Sequence, residues 1–543
     1  MSLMSALARM EAAAAGRARP RATVRHRHLA ERPLVFVPLT TAGEAGAPLG
    51  ALAGTDRAGP ELLVVPQPRD RDRRWAFLAR LAGVLLPHLE SALDDVEFEE
   101  RKETDPETGK KVTVQAELCV DAPQLLVPNG PGVEFVRLLG RSMRFRRTAE
   151  DDPDAAYPAP PRVPLLGRWL TQYGERARVP GSCLLMSMTE LLSRHWATGQ
   201  SALEDQHLGA LLAWIDPPEG LTGAEAALRA ETGRDAEGQL LCPPAGPATD
   251  PAFDNKLLAP AVARFDAGVH GAEEEVRALI ESQLRPTWEA VWRGVDLLRG
   301  LPEGERVPER FKRDRWSYTG HRDRVRSGEP PQPRRDDAVT AAAKLAAREQ
   351  AQARLEAQEA LDDPLVMAER RLAGEAFEGE VVEVEVAWSE GKRPMPRPLV
   401  TLRTTDRPHL SEGGKVHRTM DEGARQSAEF VDGHGPGTLT LRLTNGMGRS
   451  KEPAPGTVPE KGDRLCWTLF EHSPRGGPGL PDVEDTPWTH GGPPSESPPA
   501  APAPTEAAGS PDSGSTAGPE GRAGGRTAAP LPLPDPVTSE DLL

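Results

Sequence analysis

The sequence predicts a multi-domain α+β protein with a mixed α/β N-terminal region, an all-α middle, a small antiparallel β-barrel or sandwich and a disordered C-terminal tail. Three patterns indicate this order. Apolar residues alternate with polar ones in residues 95–120 and again in 377–471, which is typical of half-buried strands. Between these regions apolar residues recur every three or four positions, which predicts helices. Beyond Phe470 the chain is rich in Pro, Gly, Ser and Ala, which is typical of disorder.

Charge and cysteine content exclude several classes of protein. The 543 residues carry 66 basic and 82 acidic side chains, a net charge of −16, so the whole chain does not bind polyanions by bulk electrostatics. The four cysteines (Cys119, Cys183, Cys242 and Cys466) form no CxxC pair, which argues against a zinc site or a disulfide scaffold and favours a cytoplasmic location. No apolar run reaches the roughly 20 residues that a membrane helix needs. We expect no membrane contact and no cofactor.

Residues 1–29 form a basic leader that we expect to be disordered. The leader has six arginines and a single acidic residue, Glu11. Transit peptides share this composition, so a targeting role stays open. An alanine- and arginine-rich start is equally typical of an unstructured terminus, and we prefer that interpretation.

Residues 30–150 are predicted to form a mixed α/β domain. The runs LVFVP (34–38) and ELLVV (61–65) are short, apolar and bounded by proline or glycine, so they should be buried strands. An amphipathic helix that contains Trp75 follows them. In residues 95–120 the sequence TDPETGK separates two alternating stretches, which predicts an antiparallel hairpin with one buried face.

Residues 160–302 are predicted to form a helical domain. The stretch SCLLMSMTELLSRHW has a helical period, and Ser182 would be its N-cap. A longer helix from about Ala272 to Leu298 should be interrupted at Pro286, because proline removes a backbone donor and its ring crowds the preceding turn.

The C-terminal part is predicted to consist of four segments. Residues 303–335 are interpreted as a basic aromatic linker, and residues 336–376, which are rich in strong helix formers, as a long exposed helix. In residues 377–471 apolar and polar residues alternate, and glycine-rich turns separate the alternating stretches. This segment should therefore form the small barrel or sandwich. Residues 472–543 should be the disordered acidic tail, since the chain from Glu471 onward has eleven acidic and three basic residues.

Candidate catalytic residues are few. The chain has no phosphate-binding loop, no HExxH and no paired Cys/His motif. Glu100 and Lys102 have the E-x-K spacing of one class of metal-dependent nucleases, although the hairpin order differs from theirs. A Ser/His/acid set could be drawn from HWATGQSALEDQH, which begins at His195 and ends at His207, but Ser201 and Glu204 fit a capping box better.

Two clusters of basic residues stand out from the acidic background. One surrounds Phe145 and includes Arg137. The other lies in residues 306–335, where aromatic side chains are interleaved with cations in a way that suits stacking on bases and pairing with phosphates. A solvated linker, or a docking surface for an acidic partner or for the acidic tail, would have the same composition. The candidate nucleic-acid or partner-binding residues are Arg310, Lys312, Arg313, Arg315, Trp316, Tyr318, Arg322, Arg324 and Arg326.

Two functions fit these observations. The first is a non-enzymatic adaptor or accessory subunit of a cytoplasmic complex, with a protein partner and with nucleic acid as a candidate target. The order of a long polar helix and a β module in residues 336–471 resembles the stalk-and-barrel insertion of some helicases, without their ATPase core. The alternative is a hydrolase or metal-dependent nuclease with an unfamiliar active site in residues 30–210.

Overall fold

The chain folds around two apolar cores, which confirms the predicted mixed, multi-domain architecture. One core belongs to the body, residues 3–326, and the other to a C-terminal barrel, residues 376–468. Most of the predicted tail and the centre of the hairpin turn, residues 105–109, lie outside the described residues. The computed structural model describes residues 3–104, 110–236, 238–244, 246–332, 335–390, 394–420, 424–433, 437–448, 450 and 452–473.

A five-stranded mixed sheet forms the centre of the body. Its order is β4-β3-β2-β7-β8, and β2, β7 and β8 run parallel while β2, β3 and β4 are antiparallel. Helices cover both faces, so strands such as LVFVPLT are buried at every position instead of alternating. The strands are β1 (Arg19–Pro20), which pairs with β9 (Trp196–Ala197), and β2 (Leu34–Thr40), β3 (Pro48–Gly54), β4 (Glu61–Val64), β7 (Leu125–Val127) and β8 (Leu185–Ser187).

The helices of the body pack on this sheet. The longest continues through Pro286, where an interruption was predicted, and Leu284 and Trp288 on either side of this proline are fully buried. No helix of the described residues is long and apolar enough to cross a membrane. The helices are α1 (Leu3–Ala15), α2 (Arg71–Leu89), α3 (Gly130–Met143), α4 (Val163–Ala177), α5 (Met188–His195), α6 (Leu208–Ile215), α7 (Gly223–Thr232), α8 (Pro251–Phe253), α9 (Ala259–Asp266), α10 (Ala272–Arg299) and α11 (Val307–Arg326).

The regions predicted as separate domains, 30–150 and 160–302, share one core. Strand β8 comes from the predicted helical stretch and pairs in parallel with β7. Its residues are buried on both faces, and such a short apolar run cannot be distinguished from a helix by periodicity. Ser187, not Ser182, is the N-cap of the following helix α5.

The leader is ordered, which differs from the predicted disorder. Residues 3–15 form α1, and the segment after it places Arg25, His26 and Arg27 in buried positions. Arg25 pairs with Glu303 at 2.7 Å and Arg27 with Glu359 at 3.0 Å. The acidic partners lie nearly 300 residues or more along the chain, so local composition could not reveal them.

The predicted hairpin is present but stands largely apart from the core. Strands β5 (Val96–Thr104) and β6 (Lys111–Cys119) pair from Val96 and Cys119 outward. The expected buried face is limited to Leu118 and Cys119, while Phe98 is 67% exposed. The hairpin therefore projects from the body beside α11.

Two helices connect the body to the barrel along the chain. They are α12 (Ala338–Asp362) and α13 (Pro364–Leu372). The end of α12 is buried at Leu355, Ala357 and Ala360, so the predicted long exposed helix is exposed only in its first part. The barrel is closed in the order β10-β11-β14-β13-β12-β15 around Phe377, Leu441 and Trp467. Its strands are β10 (Ala376–Glu385), β11 (Leu399–Arg403), β12 (Lys415–Thr419), β13 (Arg425–Asp432), β14 (Thr438–Leu443) and β15 (Arg464–Thr468).

Two glycine-to-alanine substitutions should change stability in opposite directions. Helices α3 and α4 touch at Gly167, where a Cβ would lie 2.5 Å from the Arg144 nitrogen, so Gly167→Ala should lower the free energy of unfolding by about 1–3 kcal/mol. Gly83 is exposed inside α2 with nothing within 4 Å, so Gly83→Ala should raise it by about 0.5–1 kcal/mol. Urea unfolding of both variants checks the pair, and a loss of stability in Gly83→Ala would contradict this account.

Candidate basic groove

Four of the nine predicted binding residues pair with the acidic hairpin and the loop before it. Arg315 donates to the Glu97 carboxylate at 2.5 Å and to the Cys119 carbonyl at 2.7 Å. The other three follow the same pattern, and these four cations are therefore neutralised within the chain. The pairs are Lys312 with Glu99, Arg322 with Glu117 and Arg326 with Asp94.

The two predicted aromatic residues serve the fold. Tyr318 is fully buried, and its hydroxyl donates to the Leu89 carbonyl at 2.7 Å. Burial raises the pKa of Tyr318 well above its usual value. Trp316 is partly buried, and the Arg101 guanidinium lies over its ring at 5.5 Å. Tyr318 therefore cannot stack on a base, and Arg101 already covers a face of Trp316.

The remaining three predicted residues point to other sides of α11. Arg324 donates to the Gln172 amide oxygen at 3.4 Å. Arg310 is buried and pairs with Asp362 at 3.3 Å, and Arg313 donates to the neutral Gln358 amide oxygen at 3.3 Å. Of the nine residues, only Arg310 and Arg313 line the groove that we describe next.

The basic groove is a surface cavity of about 390 Å³ between the end of α4, the loop of residues 178–182, α11 and the first part of α12. Six of its lining side chains are basic and two, Glu175 and Asp314, are acidic. The six basic residues are Arg176, Arg310, Arg313, Lys344, Arg348 and Arg354. Four of the six are paired with carboxylates, Arg176 with Asp314, Arg310 with Asp362, Lys344 with Asp336 and Arg348 with Glu175. Cations therefore outnumber acids in the lining, but most of their charge is already balanced within the chain.

A second cavity of about 230 Å³ adjoins the basic groove across the loop of residues 178–182. It lies at the carboxyl end of β8, the position at which open α/β sheets commonly bind ligands. Its lining has two acidic side chains, Glu134 and Glu190, and four basic ones. The basic side chains are Arg27, Arg137, Arg178 and Arg194.

Asp314 holds the loop between the two cavities. Its buried carboxylate accepts hydrogen bonds from Arg176 Nη2 at 2.7 Å, Ser182 Oγ at 2.8 Å and the Cys183 backbone nitrogen at 2.6 Å. Gly181 between them has φ +87°, a conformation that glycine adopts without strain. The position of Arg176 in the wall of the groove is thus fixed by a carboxylate on a different helix.

Neighbouring guanidinium groups repel one another around this loop. Burial, and then the charge of Arg354, lower the pKa of Arg313. Partial burial and the charge of Arg137 lower the pKa of Arg178. The charge of Arg27 is the main cause that lowers the pKa of Arg194. An anion bound between such groups would relieve this repulsion.

The residues considered for catalysis do not converge. Glu100 and Lys102 lie on the projecting hairpin. His195 is buried, its Nδ1 lies 2.7 Å from the Leu191 carbonyl, and burial lowers its pKa to about 4. His207 caps α6 by accepting from the Ala210 nitrogen. Within the described part of the chain, no cluster of His, Cys, Asp and Glu could hold a metal ion.

Ser201 and Glu204 exchange hydrogen bonds, as a capping box requires. The Ser201 nitrogen donates to Glu204 Oε2 at 2.6 Å, and the Glu204 nitrogen donates to Ser201 Oγ at 3.3 Å. The polar stretch between His195 and His207 therefore has a structural explanation.

The groove residues that sequence reasoning missed come from α4 and α12. Lys344, Arg348 and Arg354 fall on one side of α12 because successive residues turn by about 100° in a helix. This one-sided placement of cations was visible in the sequence. What the sequence did not show is that α12 lies against α11, which brings the two sets of cations together.

Comparison with known proteins gives no relative. No protein family, no curated protein and no solved structure matches this chain.

Proposed function

We propose that the protein is a non-enzymatic accessory subunit that binds the phosphate backbone of nucleic acid in the basic groove. The observation that carries this proposal is the groove lining, which brings six cations together; Lys344 and Arg348 pair with exposed or partly exposed acids at its open end, where a phosphate can compete for them. Arginine suits the role because its planar guanidinium donates two parallel hydrogen bonds to a phosphate. The adjoining cavity adds four arginines, of which Arg137 pairs with Glu134 and both Arg27 and Arg194 pair with Glu359.

Backbone contact, without base reading, fits the lining best. None of the described residues that line the groove is aromatic, so there is no platform on which a base could stack. Phosphate contacts position a nucleic acid without reading its sequence. We infer that the groove holds a strand irrespective of sequence, and that a protein partner, which we expect to bind elsewhere on the chain, supplies the activity. The cysteines form no disulfide, which supports a reducing compartment such as the cytoplasm.

Neutralising the exposed end of the groove should weaken binding of a fluorescein-labelled 30-nucleotide DNA strand. Lys344 and Arg348 are paired only with exposed or partly exposed acids, Asp336 and Glu175, so the double variant Lys344→Gln/Arg348→Gln should fold normally. At 100 mM NaCl we expect about a tenfold loss of affinity. The slope of log affinity against log salt should become shallower by about one for each phosphate that the variant no longer neutralises. Fluorescence anisotropy measures both quantities.

The matched control removes two cations from the other face of α11. Lys312→Gln/Arg326→Gln has the same change of net charge, but these side chains pair with the acidic hairpin and not with the groove. We expect affinity and salt slope to stay within twofold of the parent chain. Equal losses in both double variants would show that binding follows net charge alone, and absence of salt-dependent binding by the parent chain would overturn the proposal.

A further inference from the structure

The barrel has a large cavity of its own, lined mostly by residues that lie far along the chain from those of the basic groove. A cavity of about 680 Å³ opens between strands β12 and β15, and Leu361 and Met367 of the connecting helices close one of its sides. Two of its lining residues, Arg418 and His472, are more than nine-tenths buried. The Arg418 guanidinium lies 5.3 Å from the Trp467 ring and donates to Gln426 at 2.7 Å, so it is held in place.

The cavity lies where the barrel is weakly closed. Strand β15 pairs with β10 over five positions, from Ala376 with Thr468 to Glu380 with Arg464. Between the described residues of β12 and β15 a single pair joins the strands, His417 with Thr468. Two positions along, the next hydrogen-bonded pair would be Thr419 with Cys466, and both of these residues line the cavity instead. The strands therefore diverge at this point and leave room for an extended chain between them.

The backbone of β15 is oriented towards this opening. The Leu469 nitrogen donates to the Glu375 carbonyl, and the Val381 nitrogen donates to the Asp463 carbonyl. These bonds show that the backbone N–H and C=O groups of the odd-numbered residues of β15 face β10. Because backbone groups alternate along an antiparallel strand, those of Arg464 and Cys466 point to the side of β12. An extended peptide placed there could extend the sheet through main-chain hydrogen bonds.

His472 places the following chain at the rim of the cavity. Its Nδ1 lies 2.9 Å from Thr419 Oγ1 and its Nε2 lies 2.9 Å from Thr468 Oγ1, so the imidazole bridges the diverging strands. Ser473 is partly exposed next to it. Seven residues, 473–479, then separate His472 from the sequence LPDVEDTPW, residues 480–488, and they span at most about 25 Å. A tether of this length keeps the segment at an effective concentration in the millimolar range.

Charge favours the same segment. Residues 480–488 contain Asp482, Glu484 and Asp485 and no basic residue. Arg418 and Arg464 line the cavity together with one acid, Asp463. Burial, and then nearby groups that include Arg425 and Arg306, lower the pKa of His472 to about 4, so the cations of the cavity at pH 7 are Arg418 and Arg464. An acidic extended segment complements these two guanidinium groups.

We propose that residues 480–488 of the same chain bind as an extended strand in the cavity between β12 and β15. This inference does not depend on nucleic-acid binding by the basic groove.

Cys466 is a built-in reporter of occupancy, because it is partly exposed and lines the cavity. The full-length chain is compared with a variant in which residues 480–488 are replaced by Gly and Ser at unchanged length. The matched control replaces residues 496–504 in the same way. We expect N-ethylmaleimide to modify Cys466 about fivefold faster, or more, in the first variant and at the parent rate in the control, because an occupied site limits access. Cys242, in the body, should react at one rate in all three proteins.

Hydrogen exchange of residues 464–468 supplies a readout that does not depend on the thiol pKa. We expect faster exchange in the 480–488 variant, and added peptide LPDVEDTPW should restore both the slow exchange and the slow thiol reaction. Equal Cys466 rates and equal exchange in the three proteins would overturn the proposal. A change seen only in the 496–504 variant would equally overturn it, since another part of the tail would then be the occupant. Rates that depend on protein concentration would assign the occupant to a second copy.

Discussion

Asp362→Asn should lower the free energy of unfolding by about 3–5 kcal/mol, the range typical for removing one partner from a buried ion pair. The Asp362 side chain is fully buried at the end of α12. Its carboxylate accepts from Arg306 Nη1 at 2.9 Å and from Arg310 Nη2 at 3.3 Å. Asparagine has nearly the same shape but no charge, so it would leave the Arg310 guanidinium, only 1% exposed, without its carboxylate.

Urea unfolding followed by tryptophan fluorescence measures this effect. The matched control is Glu305→Gln, because Glu305 also approaches Arg306, at 3.9 Å, but is 90% exposed. We expect the control to stay within about 0.5 kcal/mol of the parent, as exposed ion pairs contribute little. If Asp362→Asn were as mild as Glu305→Gln, the connecting helix would not be fastened to the body through this pair.

Asp314→Asn is the second substitution with a large expected effect, a loss of about 3 kcal/mol. Both oxygens of the buried carboxylate accept hydrogen bonds, Oδ1 from Arg176 and Ser182 and Oδ2 from the Cys183 nitrogen. The NH2 group of asparagine would face one of these three donor groups, and it cannot accept a hydrogen bond from that group. The loop of residues 178–182 should loosen, and Arg176 should leave the wall of the basic groove.

Thermal unfolding and limited proteolysis check this prediction. We expect a lower melting temperature and a new cleavage after Arg178 when trypsin is added at low concentration. Asp323→Asn, a change on the same helix at a site that is 59% exposed, serves as the control and should leave both measurements unchanged. A parent-like melting temperature in Asp314→Asn would contradict the role given to this carboxylate.

Local patterns predicted the fold where the relevant contacts are local. The barrel followed from alternation in residues such as Leu439, Leu441 and Leu443, which point into one core. The hairpin followed from a turn between two alternating stretches. Local patterns could not predict that the leader is ordered. Its arginines are buried against Glu303 and Glu359, and composition alone shows six cations with no local partner.

The candidate site was predicted in part, for a similar reason. Sequence reasoning found the cations of α11, yet charge alone could not say that Arg315 meets Glu97 while Arg313 faces the groove. A helix turns adjacent residues to different sides, so a cluster in sequence becomes several surfaces in space. The site residues stay predictions, and only Arg310 and Arg313 among them line the groove.

The junction of the N-terminal segment with the connecting helices also governs the order in which the chain can assemble. The Thr23 nitrogen donates to Asp363 at 2.7 Å, across 340 positions of sequence. A ribosome that adds about 5–20 residues per second needs roughly 20–70 s to bridge that interval. Arg25 can pair with Glu303 before this interval ends, but Arg27 lacks Glu359 until α12 has been made. The segment of residues 23–27 can therefore complete its docking only after the connecting helices have been synthesised.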